Sequence, residues 1–394
     1  MSSNAFKVCH VCSAHDSDDS RVFHKECRSL AQQGYEVHLI ATDTNTKSYR
    51  SGNVIIHPLP PSTSRFARIR RRWIVADMAA RISADLYHVH EPELLGPVLN
   101  RVGNTPVIFD VHESYVDVLG QREWIPRPLR PLAQALWQRL EVGLVRKCRA
   151  VIAVAEPIAE RYSKIHGCVE IIRNFPNLSI EDLSIVSSHD HARACVFAGV
   201  LKKDRNLKNM VLAIGLLRKR GLAVPLWLAG EWGSPQYEHE IWRLVAEEGV
   251  KDQVHYSGVL SHKDAVALES RAGIGMVTLL PIKNSLKTLP IKLFECMALG
   301  LPIIYSNNFP LMKEYIGEYP VGVSVDPESP AQIADAVELL LGNPEMARQM
   351  GQAGKRAVAE KFNWANERDR LLALYRNILD SRVSNVSCPT DLGK

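Results

Sequence analysis

Thr288-Leu-Pro-Ile-Lys-Leu-Phe-Glu-Cys-Met-Ala-Leu-Gly-Leu-Pro302 is the stretch from which the rest of the chain can be placed. Pro290 suits a first helical position, where a missing N–H costs nothing, and Gly300 suits the left-handed residue just past a helix end. The pattern predicts a helix over about 290–299. Ile291, Leu293, Phe294, Met297, Ala298 and Leu299 cover nearly its whole circumference, so the helix is expected to be packed on several sides. Lys292 and Glu295 stand three apart and share a face. A charge in such a setting needs a partner. The open N–H groups at Leu289 to Lys292, the positive end of the helix dipole and Lys292 itself suit a phosphate. One turn on, Glu295 could accept two hydrogen bonds from a vicinal diol such as a ribose. Alternatively, Lys292 and Glu295 pair with each other.

Outward from this helix, apolar runs of strand length alternate with helical patterns. In the second half, 194–197, 226–229, 254–256, 274–278 and 302–305 read as strands and 207–219 as a helix. In the first half the strand candidates are 6–13, 37–42, 54–58, 86–90, 107–110 and 150–154. A helix opens at Asp19 or Ser20, carries Phe23, Cys27, Leu30 and Ala31 at helical spacing, and stops at Gly34. This alternation belongs to α/β folds with parallel, helix-covered sheets. The pattern lapses after Asn174-Phe-Pro-Asn-Leu178, and 179–193 is polar. Two doubly wound domains are therefore expected, over 1–178 and 194–364, with a linker at 179–193. A last helix over 365–382 carries an apolar face of Leu371, Leu372, Tyr375, Ile378 and Leu379, and 383–394 reads as a mobile tail.

A chain of 394 residues exceeds the size at which one core keeps growing. No run approaches the roughly 18 apolar residues of a membrane span, and the opening Met-Ser-Ser-Asn-Ala-Phe-Lys7 lacks the apolar core of a signal peptide, so a cytoplasmic location is expected. Eight cysteines, at 9, 12, 27, 148, 168, 195, 296 and 388, fall mostly in apolar runs and read as reduced, buried thiols. Cys9 and Cys12 form a C-x-x-C inside the first strand, where neither a redox nor a zinc role is expected. The net charge of +5 lies wholly in residues 1–180. It is densest in Arg65-Phe-Ala-Arg-Ile-Arg-Arg-Arg-Trp73, and Arg122, Arg127, Arg130 and Arg139 follow near Trp124 and Trp137. Basic residues among aromatics suit an anionic membrane surface, on the inner face of the cell membrane. A solvated helix is the alternative, and no nucleic-acid motif accompanies the charge.

In open parallel sheets, ligands bind beyond the carboxyl ends of the strands. There the sequence offers His15, Asp16, Asp18, Asp19 and Arg21, then Glu91, then His112, Glu113 and Ser114. The second half offers Gly199-Val-Leu-Lys-Lys-Asp-Arg205 and Gly230-Glu231. No G-x-G-x-x-G or G-x-x-x-x-G-K-[ST] run occurs, which excludes a fingerprinted dinucleotide dehydrogenase and a P-loop nucleotidase. His90 and His112 could form a metal pair with Glu91, Glu113 or Asp110, but no compact ligand spacing supports it, and neither metal nor cofactor is expected. Strand-end histidines are often structural. His112 reads as functional because Asp110-Val-His-Glu-Ser-Tyr115 turns polar directly after an apolar strand.

With these pieces placed, the chain resembles the retaining GT-B glycosyltransferases of family 4 over nearly its whole length. The motifs are Asp19-Ser-Arg-Val-Phe-His-Lys-Glu26, Gly34-Tyr-Glu-Val37, His88-Val-His-Glu-Pro92, Phe109-Asp-Val-His-Glu113, Arg173-Asn174, Phe197-Ala-Gly199 with Arg205, Leu228-Ala-Gly-Glu231, and the 290–302 helix. The resemblance implies two Rossmann-like domains facing a cleft and a last helix returning to the first domain. It also implies a UDP- or GDP-sugar held mainly by the second domain, a glycan or lipid-linked acceptor held by the first, and transfer without a metal. Residue by residue, Glu295 looks like the glutamate that binds ribose, Arg205 and Lys292 like the diphosphate-binding cations, and His112 like the histidine that touches the donor sugar. Gly199, Gly230, Glu231, Lys287, Thr288, Leu289 and Pro290 fall around the donor. Asp19, Arg21, His90 and Glu113 fall on the acceptor side. Three departures stand out. Lys287 occupies the place of the first glutamate of the family's Glu-x7-Glu pair, Val200 that of an arginine that often follows the glycine, and the segment from His15 to Arg21 that of a glycine pair. Lys287 leaves open an inactive, nucleotide-sugar-binding partner of another transferase, and an epimerase on the same fold is a third reading.

Overall fold

The computed structural model describes residues 5–61, 65–122, 125–177, 193–282 and 285–384. Two compact units emerge, one from Met1–Asn174 with Trp364–Lys394, the other from Phe175–Asn363. The expected linker lies outside the described residues except at Arg193, as do 385–394 of the expected tail, while the last helix, Trp364–Ser384, runs two residues into it.

The first unit is built on an eight-stranded sheet of β1 (Lys7–Asp16), β2 (Glu36–Thr42), β3 (Tyr49–Ser51), β4 (Val54–Leu59), β5 (Leu86–Val89), β6 (Val107–Val111), β7 (Ala150–Ala153) and β8 (Val169–Ile171). The spatial order is β3-β4-β2-β1-β5-β6-β7-β8, parallel throughout except for β3, which runs antiparallel to β4. Strand side chains alternate between faces, and a parallel sheet covered by helices buries both. Val8, Cys12 and Leu39 pack with Leu371, Tyr375 and Leu379 of the last helix on one face. Cys9, Val11 and Ile40 pack on the other with Val75, Val98 and Val145, from the helices Arg65–Ile82, Pro92–Val102 and Arg130–Val145. The C-x-x-C thiols thus sit in different cores and are free. Burying each large side chain of the last helix is worth about 1.5–3 kcal/mol, so that helix is an integral part of this core. Its Trp364 indole N–H also donates to Ser29 Oγ at 3.0 Å.

The second unit carries a six-stranded, all-parallel sheet of β9 (Cys195–Ala198), β10 (Leu226–Ala229), β11 (Val254–Tyr256), β12 (Ile274–Val277), β13 (Ile303–Ser306) and β14 (Gly322–Val325), in the order β11-β10-β9-β12-β13-β14. The helix that opened the sequence reading spans Ile291–Leu299, with Pro290 one place before it and Gly300 left-handed at φ 78°. Leu293, Phe294, Met297 and Leu299 are at most 1% exposed. The helix Pro344–Glu360 crosses close by, and a Cβ at Gly351 would stand 1.9 Å from the Gly300 carbonyl oxygen, so that crossing needs glycine.

Three of these strands, β3, β8 and β14, are absent from the sequence reading. None has a fully buried pattern, so no apolar run announces them. Among the described residues, no helix is long and apolar enough to cross a membrane. The basic segment 65–73 does open a helix, but Arg71 is buried, donating to the Pro60 carbonyl, and is withdrawn from the basic face expected there. Trp137 likewise packs against Tyr115, with ring centroids 4.9 Å apart, because the Arg130–Val145 helix turns that side towards the helix Tyr115–Gln121.

Candidate functional site

The parallel strands of each sheet reverse their chain order once, at β1/β5 and at β9/β12, and a strand-end crevice opens at such a switch point. In the second unit, Gly199 directly follows β9 and Gly230 directly follows β10. Both glycines have positive φ, 149° and 128°, and a Cβ on Gly230 would come within 2.0 Å of the Gly199 carbonyl oxygen. The two turns are therefore locked to each other by backbone contact. Beyond β9, the helical turn Lys203–Arg205 holds Arg205 half-exposed, with no side-chain hydrogen bond or ion pair among the described residues. Past β12 comes the turn Ser285–Lys287, then Thr288, Leu289 and Pro290, then the Ile291–Leu299 helix, whose first turn has no side-chain cap. Glu231 is exposed beside Gly230.

Lys292 meets two carboxylates. Its Nζ lies 2.8 Å from Glu295 Oε2 and 3.4 Å from Glu269 Oε1. The Lys292–Glu295 pairing left open by the sequence therefore forms, with a third member it did not supply. Glu269 comes from the helix His262–Ser270 and is 2% exposed. Burial raises its pKa to about 7 despite the opposing pull of Lys292. Burial alone would lower the pKa of Lys292, but Glu295 and Glu269 reverse that and raise it, so the ammonium is a fixed positive charge. Lys292 also passes Gly199, its Cε standing 3.8 Å from where a Cβ there would lie. The cation, the open helix start and the β9 turn thus share one corner of the unit.

In the first unit, five histidines converge on the carboxyl edges of β1, β5 and β6. His10 and His88 are partners in register on β1 and β5. Tyr375 of the last helix lies 3.2 Å from His10 Nε2 and 2.7 Å from His88 Nδ1. His10 Nδ1 lies 3.0 Å from His90 Nε2, and His90 Nδ1 lies 3.2 Å from His112 Nε2. A hydrogen-bonded chain thus runs from the core to His112, whose side chain is 21% exposed. Burial, then the neighbouring His88, holds both His10 and His90 well below the ordinary histidine pKa, so they are neutral. Asp110 also lies 3.2 Å from His112 Nε2. Against its burial, Arg21 above all and then His112 keep Asp110 ionised.

Arg21 corrects one expectation. Although counted on the acceptor side, it is 3% exposed, with its guanidinium on Asp110 at 3.0 Å, on Glu26 at 2.9 Å and on the Ile172 carbonyl at 3.1 Å. It braces the strand ends from within. His90, also 3% exposed, is an internal link in the chain just described and not a surface residue. Asp19 acts as a cap, Oδ1 accepting the Arg21 and Val22 N–H groups at 2.8 Å each. Glu113 is exposed beside His112.

A strand-end residue to which the resemblance gives no role completes this edge. His15, at the end of β1, places Nδ1 2.9 Å from Glu91 Oε1, and Glu91 also accepts the Ser13, Ala14 and His15 N–H groups at 3.1, 2.9 and 3.3 Å. Burial opposes charge on His15, but Glu91 overrides it and raises its pKa to about 9. The imidazolium so held faces His112, ring centroids 5.0 Å apart. Among the described residues, three groups could supply metal ligands by proximity: His10/Glu26/His88/His90, Cys12/His15/Glu91 and His90/Asp110/His112. In each, the carboxylate is already engaged, Glu26 and Asp110 by Arg21 and Glu91 by His15 and three backbone N–H groups.

With this geometry in view, two family models match the chain: Glycosyltransferase Family 4 over residues 20–179 and Glycosyl transferases group 1 over residues 181–357. Alpha-D-kanosaminyltransferase of Streptomyces kanamyceticus is 25% identical, across 78% of this chain and 80% of its own. Sucrose-phosphate synthase of Thermosynechococcus elongatus superposes with a TM-score of 0.75 at 18% identity, over 95% of this chain and 100% of that one. The Anabaena protein Alr3699/HepE, solved in complex with UDP and glucose, gives 0.67 at 13% identity, over 94% and 99%.

Proposed function

Because the chain belongs to the glycosyltransferases of family 4 and shares the GT-B fold, and so is an enzyme of sugar transfer, we propose that it is a retaining transferase. It moves a sugar from a UDP- or GDP-linked donor to a hydroxyl of a glycan or lipid-linked acceptor, in the assembly of cell-surface polysaccharide or glycolipid. The observation that carries this reading is the corner of the second unit where Lys292, the uncapped start of its helix and Arg205, unpaired among the described residues, flank the Gly199 turn. A leaving nucleoside diphosphate gains negative charge as the sugar departs, and fixed cations in a site need no reorganisation to meet it.

In this reading Arg205, Lys292 and the open N–H groups hold the diphosphate. Glu295, paired with Lys292 and 14% exposed, accepts from the ribose hydroxyls. Gly199, Gly230 and Glu231 border the donor from the neighbouring turns, and Lys287, Thr288, Leu289 and Pro290 from the approach to the helix. His112, steadied by Asp110 and His90, touches the donor sugar, with Asp19 and Glu113 on the acceptor side. The bond from the anomeric carbon to the diphosphate oxygen breaks, the bond to the acceptor oxygen forms on the same face, and the acceptor's proton passes to the departing diphosphate. No step in this scheme calls for a metal.

The test is a thermal-shift screen against UDP, GDP, ADP and their sugars, since ligands that bind the native state raise its apparent stability. Transfer kinetics of Glu295→Ala with the responding donor then follow. A loss equivalent to roughly 2–5 kcal/mol in donor handling is expected for removing a buried, charged hydrogen bond. Unchanged kinetics would sink the assignment of Glu295.

A further inference from the structure

The helix Arg130–Val145 has an inner side that is firmly placed. Glu141, 1% exposed, accepts from the Tyr162 hydroxyl at 2.6 Å and from Arg161, Gln134 Nε2 donates to the Val116 carbonyl at 2.8 Å, and Val145 is fully buried. With that side pinned, the opposite side faces outward, and it is apolar. Leu129, on the turn leading in, and Leu132, Leu136 and Leu140 are 52%, 58%, 59% and 53% exposed. Their spacing of three, four and four residues draws them into one stripe, roughly 16 Å long at the helical rise. A lone exposed leucine is ordinary, but a contiguous row along the outward pole of a helix marks a surface that something covers.

Charge indicates what covers it. From Arg127 to Arg149 the sole acidic residue is Glu141, and it is buried. Arg127, Arg139, Arg146 and Lys147 are exposed around the stripe. A second copy laid stripe to stripe would set these cations against each other, and juxtaposed like charges are costly. An anionic bilayer answers both features, taking leucines into the acyl boundary and arginines among the head groups.

We propose that the outward face of Arg130–Val145 is the surface by which this protein docks on anionic membranes, its leucine stripe inserting shallowly and Arg139 and Arg146 meeting lipid phosphates. The inference stands apart from the transferase reading, because its test reads lipid binding and not activity.

The experiment is flotation of the full chain with vesicles of phosphatidylcholine alone and of phosphatidylcholine with phosphatidylglycerol, at low and raised salt. Wild type should float with the anionic vesicles, and less so as salt rises. Leu132→Ser/Leu136→Ser/Leu140→Ser should lose about tenfold or more in binding, and Arg139→Glu/Arg146→Glu should lose the preference for phosphatidylglycerol. These side chains are largely exposed, so circular dichroism and the thermal midpoint should not move. As a second readout, an environment-sensitive dye on Leu136→Cys should shift to the blue on anionic vesicles. Wild type that ignores anionic vesicles, a leucine variant that binds like wild type, or a wild-type dimer that the leucine variant dissolves without any vesicle binding would each overturn the proposal.

Discussion

Glu269→Gln tests the electrostatics around Lys292 most directly. Burial lifts the pKa of Glu269 from the ordinary 4.5 to about 7, against the pull of the Lys292 ammonium at 3.4 Å. Below 4.5 the carboxyl is protonated in native and unfolded chains alike. As pH climbs towards 7 the unfolded chain ionises first, so the native state loses stability, and once the native carboxyl ionises as well the loss is complete. Each pH unit between the two values is worth about 1.4 kcal/mol, which puts the whole effect near 3 kcal/mol. Glutamine keeps a carbonyl oxygen for Lys292 and does not titrate. The assay is urea unfolding of wild type and variant from about pH 5 to about pH 8, with separate transitions fitted if the two units unfold in turn. Titrating groups remote from Glu269 cancel in the difference between the proteins. That difference should move in favour of Glu269→Gln by about 2–3 kcal/mol as pH rises, and a difference flat within about 0.5 kcal/mol would falsify the assignment of a buried, proton-holding carboxyl.

Two further outcomes follow from the same contacts. In Glu91→Gln, the His15 imidazole should titrate at or below its ordinary 6.5, where wild type titrates near 9. Histidine NMR would show it, and a value that stayed near 9 would mean that Glu91 is not the cause. The sign is that of a raised histidine: the stability this pair contributes is full below 6.5 and lost as pH rises through 9. Gly230→Ala should cost about 3 kcal/mol or more with no ligand present, because a methyl group cannot share space with the Gly199 carbonyl at that φ. An unchanged thermal midpoint would show that the two turns move apart freely.

What the sequence disclosed and what it withheld divide along a physical line. The 207–219 helix and the 226–229 and 254–256 strands were legible to the residue, because periodicity and bounding turn residues are local signals. The short strands β3, β8 and β14 were not, since their membership depends on a neighbouring strand's open edge. At the site, Lys292 and Glu295 were legible as a pair because one helix turn joins them. Glu269 was not, for its contact with Lys292 spans 23 positions. His15 and Glu91 were both noticed at strand ends, yet their pairing comes from the adjacency of β1 and β5. The leucines at 132, 136 and 140 have the spacing of a core stripe. Only the buried Glu141 on the opposite side reveals that the helix is turned the other way.

The composition of the first unit bears on how the protein is made. Its sheet is synthesised by Asn174, but the helix carrying Leu371, Tyr375 and Leu379 is translated only after the whole of Phe175–Asn363. At ordinary translation speeds the unfinished sheet waits roughly ten to forty seconds with one apolar face only partly covered, by Val22, Phe23, Cys27 and Leu30. A segment translated after the whole second unit thus completes the first, and a fragment cut at the unit boundary would keep that gap in its core permanently. A soluble version of the first unit alone should therefore carry the 364–384 helix grafted after residue 174, not end at the boundary.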